Sequence, residues 1–281
     1  MTERVITKAT IEQFEAYLHK EERSNGTVDN YIRNVRELAA WLAGQAVTKE
    51  QLVAWKDALQ AKRLQPTTVN AKLAAIGCFL RVMGWQDCQV RFLRVQRRVF
   101  REKEKELTRE EYEKLLAAAQ QQGSARLALL LETICATGVR VSEVQYITVE
   151  AARRGRADVT MKGKIRTILI PNKLCRKLLK YAKQTKTASG KIFLTRNGTA
   201  LSRKQIWAEM KSLCQAAGVS PGKVFPHNLR HLFATVFYRA CHDIVKLADV
   251  LGHSRIETTR IYLVTTGFEY AKQLEQLGLV S

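Results

Sequence analysis

Arg140, Lys162, His227, Arg230, His253 and Tyr262 lie in the second half of a 281-residue chain and together form one chemical set. Three are cations, two are imidazoles, and the last is a phenol able to act as a nucleophile. Breaking a phosphodiester without a metal needs such a kit: cations for the phosphoryl oxygens, a proton donor for the leaving oxygen, and a nucleophile. An ordinary phenol has a pKa near 10, so about one in a thousand is ionised at pH 7, and reaching the phenolate costs roughly 4 kcal/mol. Fixed guanidinium groups beside the phosphate lower that barrier.

Each residue also has a plainer reading. Arg140 follows Thr137-Gly138, a helix stop, and Glu143 three residues on can hold its guanidinium still. The same pair could be an ordinary surface ion pair. Lys162 and Lys164 flank Gly163 at a hairpin tip, where a lysine can reach into a groove, although basic hairpin tips also occur without chemistry. His227 and Arg230 are three apart at a helix start after Phe225-Pro226, on one face, where backbone N–H groups favour phosphate. His231 opens a rival, zinc held by His227 and His231, but no third ligand or Glu base stands where a metalloprotease motif puts it. His253 follows Leu251-Gly252, and Tyr262 could equally be a half-buried helix tyrosine.

The elements that must position these residues are mainly helical. In residues 1–95 a capping box at Thr10-Ile11-Glu12-Gln13 opens one helix, and Ser24-Asn25-Gly26 breaks it. Val28, Ile32, Val35, Leu38 and Leu42 mark a second helix ending at Gly44; Thr48 starts a third and Pro66 a fourth, which stops at Gly84. No strand pattern interrupts this all-helical module. Residues 96–106 are charged and aperiodic, which predicts an interdomain linker or a solvated helix extension. Residues 107–281 form a second domain opened by the capping box Thr108-Arg109-Glu110-Glu111. Leu127 to Cys135 reads as an apolar helix that delivers Arg140. Strand signals are confined to Asp158–Pro171, with a turn at Lys162-Gly163-Lys164, and helices resume at Leu174, Gln205, His227 and Asp243. The expected fold is therefore mainly α, an all-helical N-terminal domain followed by an α+β domain with one small antiparallel sheet.

Bulk composition points to a polyanionic partner. The chain has 47 Lys+Arg against 26 Asp+Glu, a formal net charge of +21. From Leu107 onward there are 28 basic and 13 acidic residues, +15, against 19 and 13, +6, before it. No apolar run approaches the roughly 20 residues that span a bilayer. Six dispersed cysteines, Cys78, Cys88, Cys135, Cys175, Cys214 and Cys241, include no C-x-x-C pair and suit reduced thiols in a cytoplasmic protein.

Taken in order, Thr137-Gly138-Val139-Arg140-Val141-Ser142-Glu143, Lys162-Gly163-Lys164, His227-Asn228-Leu229-Arg230-His231, Leu251-Gly252-His253 and Tyr262 make the chain resemble the tyrosine recombinase (phage integrase) family, and its simple Xer-like members in particular. The resemblance spans nearly the whole chain. It implies a SAM-like core-binding domain, a linker and a catalytic domain. It implies that Arg140 and Arg230 clamp the scissile phosphate, that His227 and His253 hydrogen-bond it, that Lys162 protonates the 5′-oxygen, and that Tyr262 forms a 3′-phosphotyrosine bond. It further implies double-stranded DNA with specific recombination sites as partner, a homotetramer on that DNA, and no metal, ATP or other cofactor. Two departures stand out. The hairpin is one residue shorter than the common Gly-Lys-Gly-x-Lys-x-Arg, leaving Lys164 as an alternative to Lys162, and Arg153-Arg154-Gly155-Arg156 replaces an Asp-containing stretch. Phe268, Ala271, Leu274 and Leu277 have helical spacing suited to docking on a neighbouring protomer or on their own domain. A type IB topoisomerase-like enzyme and a catalytically silent DNA-binding regulator are the rival functions on the same scaffold.

Overall fold

A computed structural model describes residues 4–95, 105–161, 164–262 and 275–276. The chain divides into two compact units, residues 1–97 and 98–281. Three expectations fall outside the described residues: the conformation of most of the 96–106 linker, the position of Lys162, and the amphipathic stretch from Phe268 to Val280.

Among its described residues the first unit has four α-helices, α1 (Lys8–Lys20), α2 (Asn25–Leu42), α3 (Lys49–Ala61) and α4 (Pro66–Val82), followed by a 3-10 turn (Gln86–Cys88). Their apolar stripes meet in one core, where Phe79 stands edge-on to Phe14 at 5.4 Å and to Trp85 at 5.8 Å. Two starts differ from the sequence expectation. The cap of α1 is Thr7, not Thr10: the Thr10 N–H donates to Thr7 Oγ1 at 3.3 Å and the Thr7 N–H to Thr10 Oγ1 at 2.9 Å. Threonine thus fills the N3 role usually given to Glu or Gln. Asn25-Gly26 lies inside the first turn of α2, because the extended Ser24 before it makes this polar trio a helix start.

The second unit runs α5 (Arg109–Gln121), α6 (Ala125–Thr137), a 3-10 turn (Val141–Tyr146), α7 (Val149–Arg154), β1 (Arg156–Met161), β2 (Lys164–Leu169), α8 (Asn172–Gln184), α9 (Arg203–Ser212), α10 (Cys214–Ala217), α11 (Pro226–Cys241), α12 (Ile244–Leu251) and α13 (Ile256–Arg260). The Thr108–Glu111 capping box forms as read from the sequence. β1 and β2 pair antiparallel from Arg156↔Leu169 to Met161↔Lys164. The ladder therefore begins two residues earlier than Asp158 and takes Lys164 into a strand rather than the turn. Isolated bridges join Thr148 to Lys191 and Leu194 to Ala200.

The apolar α6 lies against α11 through the core of this unit, and that packing sets up the site. At Gly138 the backbone turns left-handed (φ 61°), and an added Cβ would lie 2.5 Å from the Phe233 ring on α11. Glycine is required there both for the turn and for the close approach. All six cysteines are free thiols, with Cys88, Cys175 and Cys214 buried. Among the described residues, no helix is long and apolar enough to cross a membrane.

Candidate active site

Five of the six chemically suited residues converge where α6, α11 and α12 end or begin. Arg230, in the second turn of α11, is 2 % exposed. Its guanidinium donates to the carbonyl of Gly138 at the C-cap of α6 and, at 2.8 Å, to that of Leu251, the last residue of α12. Helix C-termini leave carbonyls without intrahelical partners and carry the negative end of the dipole, so they solvate a buried cation without neutralising it. Burial, then the charge of Arg140, lowers the Arg230 pKa from its ordinary value, while the neighbouring Tyr262 phenol and Glu143 favour the charged form. The group remains a cation at neutral pH.

Arg140, half-buried just beyond α6, is held twice. Its Nη1 donates to Glu143 Oε1 at 2.7 Å and its Nη2 to the carbonyl of Gly252 at 3.3 Å. Glu143 is buried, and its second oxygen accepts the Arg140 backbone N–H at 2.9 Å. Burial alone would raise the Glu143 pKa; the hydrogen bonds from Arg140 and the charges of Arg166 and Arg140 outweigh it and hold the carboxyl below its ordinary range.

His253 follows α12 through the left-handed Gly252 (φ 63°). Its Nε2 lies 3.0 Å from Arg230 Nη2 and its Nδ1 2.9 Å from Thr259 Oγ1. A guanidinium can only donate, so Nε2 accepts and the ring proton sits on Nδ1, facing the buried Thr259. Burial and the cations Arg230, Arg140 and Arg166 push the His253 pKa down to about 4, so the imidazole is neutral at neutral pH. His227 is exposed near the start of α11.

Tyr262 completes the cluster from the same chain. It is 5 % exposed, packs against Ala234, Leu247 and Leu251, and lies near-parallel to the His253 ring at 5.9 Å between centroids. The His227 and His231 rings stand 6.4 Å and 5.0 Å from it. The phenol is thus fixed beside a buried guanidinium and a neutral imidazole, an arrangement that stabilises negative charge developing on an entering phosphate. Lys162 lies outside the described residues, and Lys164 stands in β2 opposite Met161.

Sequence reasoning assigns no part in this cluster to three residues that join it. Arg166 on β2 donates to Glu143 Oε2 at 2.9 Å and to the Val250 carbonyl at 2.9 Å. Strand alternation carried a signal for it: Ile168 and Ile170 on the same parity are buried, so an arginine there must be paired. Thr259 gave no signal, since only the fold brings it to His253. His231 had been weighed as a zinc ligand; it is buried beside Tyr262, and its Nδ1 lies 3.4 Å from Thr235 Oγ1. Among the described residues, no group of three or more His, Cys, Asp or Glu side chains is placed to hold a metal ion.

Residues 105–266 match the phage integrase family, and residues 11–87 match its N-terminal SAM-like domain. The chain belongs to the phage integrase family. A tyrosine recombinase XerA of Pyrococcus furiosus is 27 % identical, over 100 % of this chain and 98 % of that protein. A tyrosine recombinase XerD of Caulobacter vibrioides is 32 % identical over 78 % of this chain and 77 % of its own. Among solved structures, a lambda integrase tetramer bound to a Holliday junction superposes with a TM-score of 0.73 at 17 % identity, covering 90 % of this chain and 76 % of that one, which shows the shared fold. As a phage integrase family member, the chain is a tyrosine-type site-specific recombinase.

Proposed function

We propose that this integrase-family chain cuts and rejoins double-stranded DNA at specific sites through a covalent bond between Tyr262 and a 3′-phosphate. The observation that carries the reading is the placement of the Tyr262 phenol against Arg230 and His253, within one chain. In the forward step the Tyr262 oxygen attacks phosphorus and releases its proton to solvent, the bond from phosphorus to the 5′-oxygen breaks, and that oxygen gains a proton from the lysine. Arg140 and Arg230 take the non-bridging oxygens, His227 and His253 hydrogen-bond the phosphate, His253 from Nε2 once the bound phosphate draws a proton onto it, and Lys162, with Lys164 as the alternative, protonates the leaving oxygen. The phosphotyrosine keeps a phosphodiester's energy, so the 5′-hydroxyl of another strand reverses the step with no ATP and no metal.

Two exchanging duplexes present four scissile phosphates, so the assembly is a homotetramer, as in the lambda integrase complex with a Holliday junction. The net charge of +21 supplies sequence-independent attraction to DNA with a steep salt dependence. The domain organisation is a core-binding domain over residues 1–95, a linker over 96–106 and a catalytic domain over 107–281. Dispersed cysteines and DNA as substrate support a cytoplasmic protein.

A duplex nicked next to the scissile phosphate tests the reading, since loss of the short leaving strand traps the adduct. The wild-type protein accumulates a covalent species and Tyr262→Phe accumulates none, at nearly unchanged DNA affinity. Adduct formation by Tyr262→Phe would overturn the assignment of the nucleophile.

A further inference from the structure

We propose that Arg166 is a positioning residue for cleavage, acting through Arg140. Arg140 has two supports, the Glu143 carboxylate and the Gly252 carbonyl, and Arg166 is packed against both. Glu143 Oε2 accepts from the Arg140 backbone N–H and from Arg166 Nη1, each at 2.9 Å, while Oε1 accepts from the Arg140 guanidinium. One buried carboxylate is therefore gripped by two arginines. Without Arg166 the carboxylate keeps only its bonds to Arg140 itself, so no second residue fixes its plane or, through it, the fork of Arg140.

The second support is steric. The Arg166 side chain lies flat over Gly252, where an added Cβ would fall 2.2 Å from its Cδ and 2.7 Å from its Nε. Its other prong holds the Val250 carbonyl at 2.9 Å, two residues earlier. Arg166 thus pins both ends of the Val250-to-Gly252 turn, whose last carbonyl receives Arg140 Nη2. Its own side chain is 10 % exposed, and its burial, offset in part by Glu143, lowers its pKa to about 10, so it stays a cation at neutral pH. Burial, with one bond from each terminal nitrogen turned inward to Glu143 and Val250, makes it a support for its neighbours rather than a DNA contact.

This inference rests on the proposed phosphotyrosine chemistry. The test is single-turnover cleavage by the full chain of two nicked duplexes, one natural and one with a methyl group replacing a non-bridging oxygen of the scissile phosphate, each stereoisomer separately. A neutral phosphonate has no charge for Arg140 to offset, so a defect that acts through Arg140 shrinks on the stereoisomer lacking the oxygen it faces. The expected result is that Arg166→Met cleaves the natural duplex about 10²-fold slower than wild type at unchanged DNA affinity, the scale of an ångström-level misplacement. On that one stereoisomer it comes within a few-fold of wild type, and Arg140→Ala shows the same pattern. Arg166→Lys, which keeps the charge but not the fork, gives an intermediate rate and carries the comparison if Arg166→Met does not fold. Equal losses on all substrates, or wild-type rates throughout, overturn the proposal. Absence of any adduct from the wild-type protein on every duplex sinks the recombinase chemistry itself, a separate failure.

Discussion

The two units of this chain solve different problems. Unit 1 buries Phe14, Leu38, Trp55 and Phe79 against one another, and Asn34 is its one buried polar residue among those described. Its helices follow from capping residues and apolar spacing, and its stability comes from removing hydrocarbon from water. Unit 2 has an apolar core too, yet it also buries Glu143, Asn228, Arg230, His231 and Thr259. Burying such groups is unfavourable unless each finds a partner, and three guanidinium groups here share the single carboxylate of Glu143 plus helix-end carbonyls. That surplus of positive charge, held rigid, is what a phosphate would satisfy. Polar burial, more than helix content, separates the unit that carries the candidate site from the other.

Substitutions in each unit test this contrast. The largest effect is expected at the buried cation. Arg230→Ala should slow adduct formation about 10²- to 10³-fold, or about 3–4 kcal/mol of barrier, with a much smaller change in DNA affinity. Cleavage at the wild-type rate would show that its burial is structural only. In unit 1 the same kind of truncation should touch stability instead. Phe79→Ala is expected to lose about 3–5 kcal/mol in urea unfolding of its own unit, and the chemical step on trapped DNA should hardly change. A selective loss of chemistry there would dissolve the distinction between the units.

A third prediction concerns pH. The folded pKa of His253 is about 4, below the ordinary value near 6.5, so the unfolded state binds more protons between these limits. The contribution of His253 is therefore fully present above about pH 6.5 and declines as pH falls toward 4. Urea midpoints across that range should fall less steeply for His253→Asn than for wild type; identical slopes would place the titration elsewhere. The smallest effect is expected at a cap. Thr108→Ala removes the acceptor for the Glu111 N–H and should lower the stability of unit 2 by about 1 kcal/mol in a thermal melt, without altering the cleavage rate once folded.

Much of the architecture could be read from residues near one another in the chain. The starts at Thr48, Pro66 and Thr108 and the stops at Gly84 and Gly138 depend on local backbone chemistry, so local sequence suffices for them. Where the reading slipped, at Thr7 and at Ser24-Asn25-Gly26, the same residue types serve to open or to end a helix, and packing decides between them. The ladder from Arg156 to Lys164 extended past its apolar residues because cross-strand backbone bonds carry it.

For the site, sequence alone determined the reagents: their types, their order, and glycines where the backbone must turn. It did not determine that Arg166 reaches back across the chain to Glu143, that Thr259 accepts a hydrogen bond from the His253 ring, or that Tyr262 lies against Arg230 in its own subunit. Those relations join residues on different elements, and they exist only once α6, β2, α11, α12 and α13 pack together and bring their ends to one place. Local sequence sets φ and ψ over a few residues, but the distance between two charged groups, and with it the protonation of the site, belongs to the assembled core.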